Sequence, residues 1–184
     1  MAEAYPHIFT PIQIGTQTLP NRLIMGSMHT GLEERDGGID RMAAFYGERA
    51  KQGCALIITG GFSVNAAGQL DRKSASFNTP EIAQAHKPIP QVVHDHGGRI
   101  LLQILHAGRY GYHGEIVAPS PIRAPINKTV PREMTEAEIE QTIADFAQAA
   151  VFAKEAGYDG VEVMGSEGYL INEFTAPCTN HRTD

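Results

Sequence analysis

Short apolar runs alternate along the chain with stretches in which apolar residues recur at helical spacing. The apolar runs predict β-strands at residues 23–25, 55–58, 100–105 and 159–164. The helical repeats predict helices at residues 41–51 and 89–96, and a longer helix that ends at Gly157. Strands that alternate with helices are typical of βα units, so the pattern predicts an α/β fold with a parallel sheet.

The longest predicted helix has a clear beginning and one apolar face. Thr135 and Glu138 have the spacing of a capping box, in which each side chain accepts a hydrogen bond from the other residue's backbone N–H. The residues expected on the apolar face are Ile139, Ile143, Phe146, Ala147, Ala150 and Ala153. Two segments, residues 62–80 and the proline-rich residues 110–131, are predicted to be long loops.

Four strand–helix units describe half of a (β/α)8 barrel. The alternative is an open, doubly wound sheet, which would be expected to carry a glycine-rich phosphate loop after an early strand. Neither a G-x-G-x-x-G sequence nor a P-loop is present. The favoured fold class is therefore a TIM-type barrel of which residues 1–184 form the N-terminal half, with only about the first four βα units.

Composition argues against several classes of function. A formal net charge of −6 without a cluster of lysine and arginine argues against a nucleic-acid-binding surface. No apolar run approaches the ~20 residues of a membrane span, and the polar N-terminus lacks the layout of a secretion signal. Cys54 and Cys178 are far apart, so free thiols in a reducing, cytoplasmic environment are expected.

Polar side chains lie at three of the predicted strand ends. They are Ser27, His29 and Thr30 after the first strand, Gln103 within the third, and Glu167 and Tyr169 after the fourth. Ligands of strand–helix proteins bind outside the carboxyl ends of the strands, so these residues are placed for chemistry. The amide of a buried glutamine both donates and accepts hydrogen bonds. It suits the edge of a heterocycle such as a pyrimidinedione or, alternatively, the neighbouring backbone.

Tyr169 is the candidate acid of the chain. A phenol with a pKa near ~10 donates its proton late, to a developing carbanion or enolate. The alternative interpretation is a hydroxyl that only caps a loop. His29 and His106 are expected to line a pocket as hydrogen-bonding residues, and no metal site is predicted because the histidines form no short ligand motif.

Several ordered motifs together resemble the old yellow enzyme family, flavin-dependent oxidoreductases with an FMN-binding (β/α)8 barrel. The motifs are Met25-Gly-Ser-Met-His-Thr30, Gln103-Ile-Leu-His-Ala-Gly-Arg109 and Gly157-Tyr-Asp-Gly-Val-Glu-Val163, preceded by Pro11-Ile-Gln-Ile-Gly15 and Leu19-Pro-Asn-Arg22. Within the family, the segment from Met164 to Phe174 most resembles bacterial NADPH-dependent 2,4-dienoyl-CoA reductases. Met164 and Glu167 stand where many ene-reductases carry two side chains that hold a carbonyl oxygen, which predicts a different kind of substrate.

The resemblance implies roles for individual residues. The FMN-binding residues would be Ser27, Met28, His29, Thr30, Gly61 and Gln103. The substrate-binding residues, which would face an acyl-CoA thioester, would be Cys178, Thr179, Asn180 and His181. Tyr169 would donate a proton while FMN supplies hydride to a conjugated C=C bond of a 2,4-dienoyl-CoA, as in fatty-acid β-oxidation.

The resemblance also implies parts that this chain lacks. Full-length relatives of that kind would add FAD, NADPH and a 4Fe–4S cluster, and the FMN phosphate would be bound by later barrel strands. The chain alone is therefore expected to bind FMN weakly and turn over poorly. Two alternatives remain open: another enoate reductase or amine dehydrogenase, and a silent half-barrel that needs a partner, including self-association.

Overall fold

The computed structural model describes residues 4–184, and all of its longer strands belong to one sheet. The first three residues of the polar N-terminal segment lie outside the described residues. The strands are β1 (Ile12–Ile14), β2 (Gln17–Leu19), β3 (Ile24–Met25), β4 (Leu56–Ser63), β5 (Arg99–Leu105), β6 (Val117–Ala118), β7 (Arg132–Glu133) and β8 (Gly160–Val163). The helices are α1 (Gly38–Lys51), α2 (Pro80–His86), α3 (Pro88–Asp95), α4 (Glu136–Ala156) and α5 (Leu170–Thr175).

The order of the main sheet decides between the two predicted architectures. Strands β3, β4, β5 and β8 lie side by side in that order, and every neighbouring pair is parallel. A doubly wound sheet reverses its strand order at a switch point, whereas a barrel continues in one direction. The continuous order confirms the barrel type, with four βα units forming part of the circle.

The hydrophobic core lies between one face of this sheet and the helices. Ile57, Ile100, Leu102 and Ile104 are fully buried there and pack with residues of α1, α3 and α4. Each buried isoleucine or leucine side chain contributes about 1.5–3 kcal/mol relative to an exposed one. Because side chains alternate along a strand, Gln103 and Leu105 lie on the opposite face of β5, the interior face of the barrel.

Strand β4 extends beyond the predicted strand at residues 55–58 and passes through two glycines, Gly60 and Gly61. The strand continues to Ser63, with a register shift between Ile58 and Gly61. A Cβ atom on Gly61 would lie 2.2 Å from the Leu105 Cδ2 atom, so a larger residue would have to displace the end of the Leu105 side chain. The glycine marks a close approach of two strands, not a turn.

Two elements lie where none was predicted, and one helix begins earlier than predicted. A helix, α2, begins at Pro80 after Thr79, whose Oγ1 accepts a hydrogen bond from the Ile82 N–H at 3.4 Å. The proline-rich segment also contributes β6, which pairs in parallel with β7 at Val117 and Arg132. Helix α1 begins at Gly38, three residues before the predicted start.

Helix α4 is confirmed, but its buried face is shifted from the predicted one. Its fully buried residues are Thr142, Ala149, Ala153 and Ala156. Ile143 is 59% exposed and Val163, expected inside a buried strand, is 50% exposed. Both line a groove between α4 and α5, so the first half of α4 faces a surface that the described residues leave open. Among the described residues, none of the helices has both the length and the apolar content to cross a membrane.

Replacing the N-cap of α4 is expected to destabilise the fold measurably. Thr135 Oγ1 accepts the Glu138 N–H at 3.2 Å, and the Glu138 carboxylate accepts the Thr135 N–H at 2.9 Å, which confirms the capping box. Thr135→Ala removes the first bond and should lower the free energy of unfolding by about 1 kcal/mol. Urea unfolding measures it, with the exposed loop substitution Thr129→Ala as the control. Equal midpoints for the two variants would contradict the prediction.

Candidate functional site

A cavity of about 170 Å³ lies at the carboxyl ends of the main strands. It is lined by Ser27, His29, Gly61, Leu70, Gln103, Leu105, Met164, Glu167 and Tyr169. Five of these are residues that the sequence analysis assigned to cofactor binding or catalysis. A larger cavity of about 450 Å³ lies between α4 and α5, but its lining is almost wholly apolar, so it offers no group for chemistry.

Gln103 presents one polar atom to this cavity. Its backbone N–H donates to Thr59 Oγ1 at 3.0 Å, and its side-chain Nε2 donates to Glu162 Oε1 at 2.7 Å. The partner of the amide is thus a side-chain carboxylate, not the backbone of the alternative interpretation. The amide oxygen Oε1 has no hydrogen-bond donor among the described residues and is therefore available to a ligand.

Two glycines of β4 let the neighbouring segments approach closely. A Cβ atom on Gly60 would lie 2.9 Å from the Met28 carbonyl oxygen, so the segment after β3 rests directly on β4. A Cβ atom on Gly61 would lie 2.9 Å from Gln103 Oε1. Gly61 therefore lies directly beside the glutamine carbonyl and the Leu105 side chain, while Gly60 faces the segment after β3.

Tyr169 lies at the opposite side of the same cavity, after a tight turn. Glu167 has a positive φ of 62° and Gly168 one of 83°, which turns the chain sharply between β8 and α5. The Tyr169 ring is half-buried and meets the Tyr110 ring edge-on, with 6.2 Å between the ring centroids. Burial, and then the negative charge of Glu167, raises the pKa of the Tyr169 hydroxyl. The phenol stays protonated at neutral pH and can act as a proton donor.

His29 lines the cavity and belongs to a small charged network. Its Nδ1 lies 2.8 Å from a carboxylate oxygen of Glu33 and its Nε2 lies 3.5 Å from one of Glu34. The three side chains offer ligand atoms within 4.8 Å of one another. Each ring nitrogen of His29 therefore faces one of the two carboxylates.

Not every predicted FMN-binding residue reaches the cavity. The Thr30 hydroxyl donates to Glu33 Oε2 at 3.1 Å, and Met28 is 51% exposed; neither lines the cavity. The prediction for these two residues remains untested.

The four predicted substrate-binding residues lie beyond α5 and do not line this cavity. The Thr179 hydroxyl is buried and donates to the Glu173 carbonyl oxygen at 2.7 Å, while Asn180 Nδ2 donates to the Phe174 carbonyl oxygen at 2.9 Å. The His181 N–H donates to Ser120 Oγ at 2.8 Å, and Cys178 is exposed. Their contact with a thioester stays a prediction.

His106 does not line the cavity and was misjudged from the sequence. It is 1% exposed, and its Nδ1 accepts the Gly108 N–H at 3.1 Å. Burial lowers its pKa to about 4, so the ring is neutral at neutral pH. It is a structural residue of the segment that follows β5.

Three residues that shape the site were not predicted from the sequence. Leu105 lies two residues after Gln103 and therefore on the same strand face, which was a usable signal. Glu162 was visible only as the polar residue between two valines in β8. Leu70 reaches the cavity from a long loop, where the sequence carries no signal of its position.

The lining fits one edge of a flavin. Gln103 Oε1 is an acceptor for a pyrimidinedione N–H, and the backbone of Gly61 lies beside it. The cavity lining contains neither lysine nor arginine, so among the described residues it offers no cationic side chain for a phosphate. The residues therefore fit the ring system of FMN, while the phosphate would need groups elsewhere.

Comparison with known proteins gives consistent likenesses. The model of the NADH:flavin oxidoreductase / NADH oxidase family matches residues 7–184. The NADPH dehydrogenase of Bacillus subtilis (strain 168) is 37% identical over 180 residues, covering 96% of this chain and 53% of that protein. Morphinone reductase in complex with tetrahydroNAD has a TM-score of 0.87 at 31% identity, covering 97% of this chain and 55% of that one.

Another solved structure that is similar to this chain is a complex with a CoA thioester. The complex of 2-naphthoyl-CoA reductase with 2-naphthoyl-CoA has a TM-score of 0.90 at 29% identity. The match covers 98% of this chain and 30% of that one. The chain thus spans about half, or less, of the proteins it matches.

Proposed function

Because the chain belongs to the NADH:flavin oxidoreductase / NADH oxidase family, we propose that it is the N-terminal half of an FMN-binding barrel that reduces a conjugated C=C bond of a 2,4-dienoyl-CoA, with NADPH as the reductant. One observation carries this proposal. The free carbonyl of Gln103, the backbone of Gly61 and the protonated phenol of Tyr169 line one cavity at the strand ends.

In this proposal, the residues of this chain bind FMN and donate a proton to the substrate. FMN, when bound, supplies a hydride to the far end of the conjugated acyl system. Tyr169 then donates its hydroxyl proton near the thioester, where negative charge develops on the acyl chain. Its raised pKa keeps that proton in place until the charge appears. Gln103 fixes the pyrimidine edge and so the distance between the reacting groups.

One comparison favours a CoA thioester as the substrate. Met164 and Glu167 line the cavity, and neither a thioether nor a carboxylate donates a hydrogen bond, so the carbonyl oxygen of a substrate would lie away from these two side chains. The likeness to a reductase that binds 2-naphthoyl-CoA supports a CoA ester as the substrate class. FAD and an iron–sulfur cluster would belong to further parts of a full-length protein.

A second candidate is a half-barrel that associates with another copy of itself. Among the described residues β8 pairs only with β5, so its other edge carries no strand partner. Val163 and Ile143 next to this edge are half-exposed or more. Uncovered edges and apolar surface favour association, which would place a second half-barrel beside the first.

Titration of FMN into the purified chain tests the proposal. We expect the visible flavin band to shift on binding, and Gln103→Ala to weaken the affinity about fivefold through one lost hydrogen bond. Gln148→Ala, an exposed substitution on α4, is the matched control. Sedimentation of the same samples shows whether the species that binds FMN is a monomer or a dimer. A flavin spectrum that the chain leaves unchanged, or equal affinities for all three proteins, would contradict the proposed site.

A further inference from the structure

Glu162 contacts the cofactor-facing glutamine but not the cavity itself. Its Oε1 accepts a hydrogen bond from Gln103 Nε2 at 2.7 Å, and Glu162 does not line the cavity. The two residues are direct neighbours in the register of β5 and β8. This contact therefore joins two adjacent strands on the interior face of the barrel.

A carboxylate beside a glutamine amide selects one of its two orientations. The amide has nearly the same shape after a half-turn about its last bond, but the turn exchanges donor and acceptor. A carboxylate only accepts, so it holds the NH2 group toward itself and turns the carbonyl away. Without it, the amide could present either group to a ligand.

Other contacts fix the position of the Gln103 side chain, so that only the orientation of its amide group remains to be set. The Gln103 backbone N–H is held by Thr59 Oγ1 at 3.0 Å, and the residue is 6% exposed. Gly61 would have its Cβ 2.9 Å from Gln103 Oε1, so the carbonyl side is already close to the backbone of β4. The position of the side chain is thus fixed by packing, and its orientation by Glu162.

We propose that Glu162 is a positioning residue that orients the Gln103 amide so that its carbonyl, and not its NH2 group, faces the ligand. The site then selects a ring that presents an N–H donor, such as the pyrimidinedione edge of FMN, over one that presents an acceptor. This inference rests on the proposed function for the identity of the ligand. The hydrogen bond to Gln103 is a property of the chain itself.

A double-mutant cycle on FMN affinity tests the inference. Glu162→Gln lets the neighbouring amide turn and should weaken FMN binding about three- to tenfold when Gln103 is present. In the Gln103→Ala background the same substitution should change the affinity by a factor near one. Glu155→Gln, which removes the same charge from an exposed site on α4, is the control for net charge. Equal weakening in both backgrounds would overturn the inference while leaving the flavin site intact.

A second measurement does not need the cofactor. In an NMR spectrum of the flavin-free chain, the side-chain amide signals of Gln103 should move on Glu162→Gln and stay in place on Glu155→Gln. If the native chain binds no FMN, the proposed function fails for this chain while this measurement still decides the role of Glu162. Gln103 signals that ignore Glu162→Gln would show that the carboxylate does not orient the amide.

Discussion

Replacing Tyr169 with phenylalanine is expected to slow reoxidation of the reduced flavin by 2,4-dienoyl-CoA at least about a hundredfold, because a positioned general acid contributes about 10²–10⁴-fold. The substitution removes only the hydroxyl group, whose pKa is raised by burial and by Glu167. The ring still packs edge-on against Tyr110, so the fold should be retained. The measurement is anaerobic stopped-flow mixing of dithionite-reduced, FMN-saturated protein with the thioester.

The controls separate proton donation from flavin binding. Reoxidation by oxygen needs no proton from Tyr169 and should keep its native rate in the variant. Tyr5→Phe changes an exposed tyrosine outside the cavity and should leave both rates unaltered. A thioester-dependent rate that survives Tyr169→Phe would remove this residue from the mechanism. A slow native rate with enones and methylated amines, and a fast one with dienoyl-CoA, would support the proposed substrate.

The sequence predicted those features of the site that depend on a single strand and its exit. Gln103 is a polar residue within an apolar strand. Tyr169 follows a strand whose C-terminal end is marked by glycines. Both line the cavity, because strand ends of a parallel sheet share one edge. The barrel type was also predictable, because the strands that alternate with helices in the sequence lie side by side in the same order in the sheet.

The features that escaped prediction depend on contacts between distant segments. Glu162 meets Gln103 across 59 residues, and only the register of β5 and β8 places them side by side. The predicted strand at residues 55–58 stopped short of Gly60 and Gly61, because a sequence does not show that the Leu105 side chain occupies the space beside Gly61. His106 was predicted to line the pocket. Its burial depends on contacts with residues that are distant in the sequence, and the sequence does not show these contacts.

Proline explains another error of the sequence analysis. Pro80 was taken as the end of a loop, and no helix was predicted directly after it, yet it begins α2. Proline fits the first turn of a helix, because the missing N–H would have no intrahelical partner there. The side chain of Thr79 caps α2 in front of Pro80, and this pair was the signal that could have located the helix.

A large expected effect of pH on stability comes from Glu173, a buried carboxyl beneath the segment that follows β5. Its Oε1 accepts the Arg109 N–H at 2.9 Å, while Oε2 has no hydrogen-bond partner among the described residues. Burial raises the pKa of the Glu173 carboxyl from 4.5 to about 7, against the weaker opposing effect of Arg109. The folded state therefore holds a proton that the unfolded chain releases at lower pH.

This shift makes folding less favourable as the pH rises. The stability from the protonated Glu173 is fully present below pH 4.5 and is lost as the pH rises through about 7. At 1.36 kcal/mol for each pKa unit, the loss is on the order of 3 kcal/mol. His86 and His106, whose pKa values burial lowers to about 4, act in the opposite sense, since their contribution is lost as the pH falls below 6.5.

The difference between the native chain and Glu173→Gln isolates the carboxyl from the histidines. Glutamine keeps an oxygen for the Arg109 N–H but cannot ionise, and the two histidines act equally in both proteins. Urea unfolding at several pH values should show the native chain losing about 3 kcal/mol relative to the variant between pH 4.5 and pH 8. Parallel stability curves would show that the carboxyl does not titrate on folding.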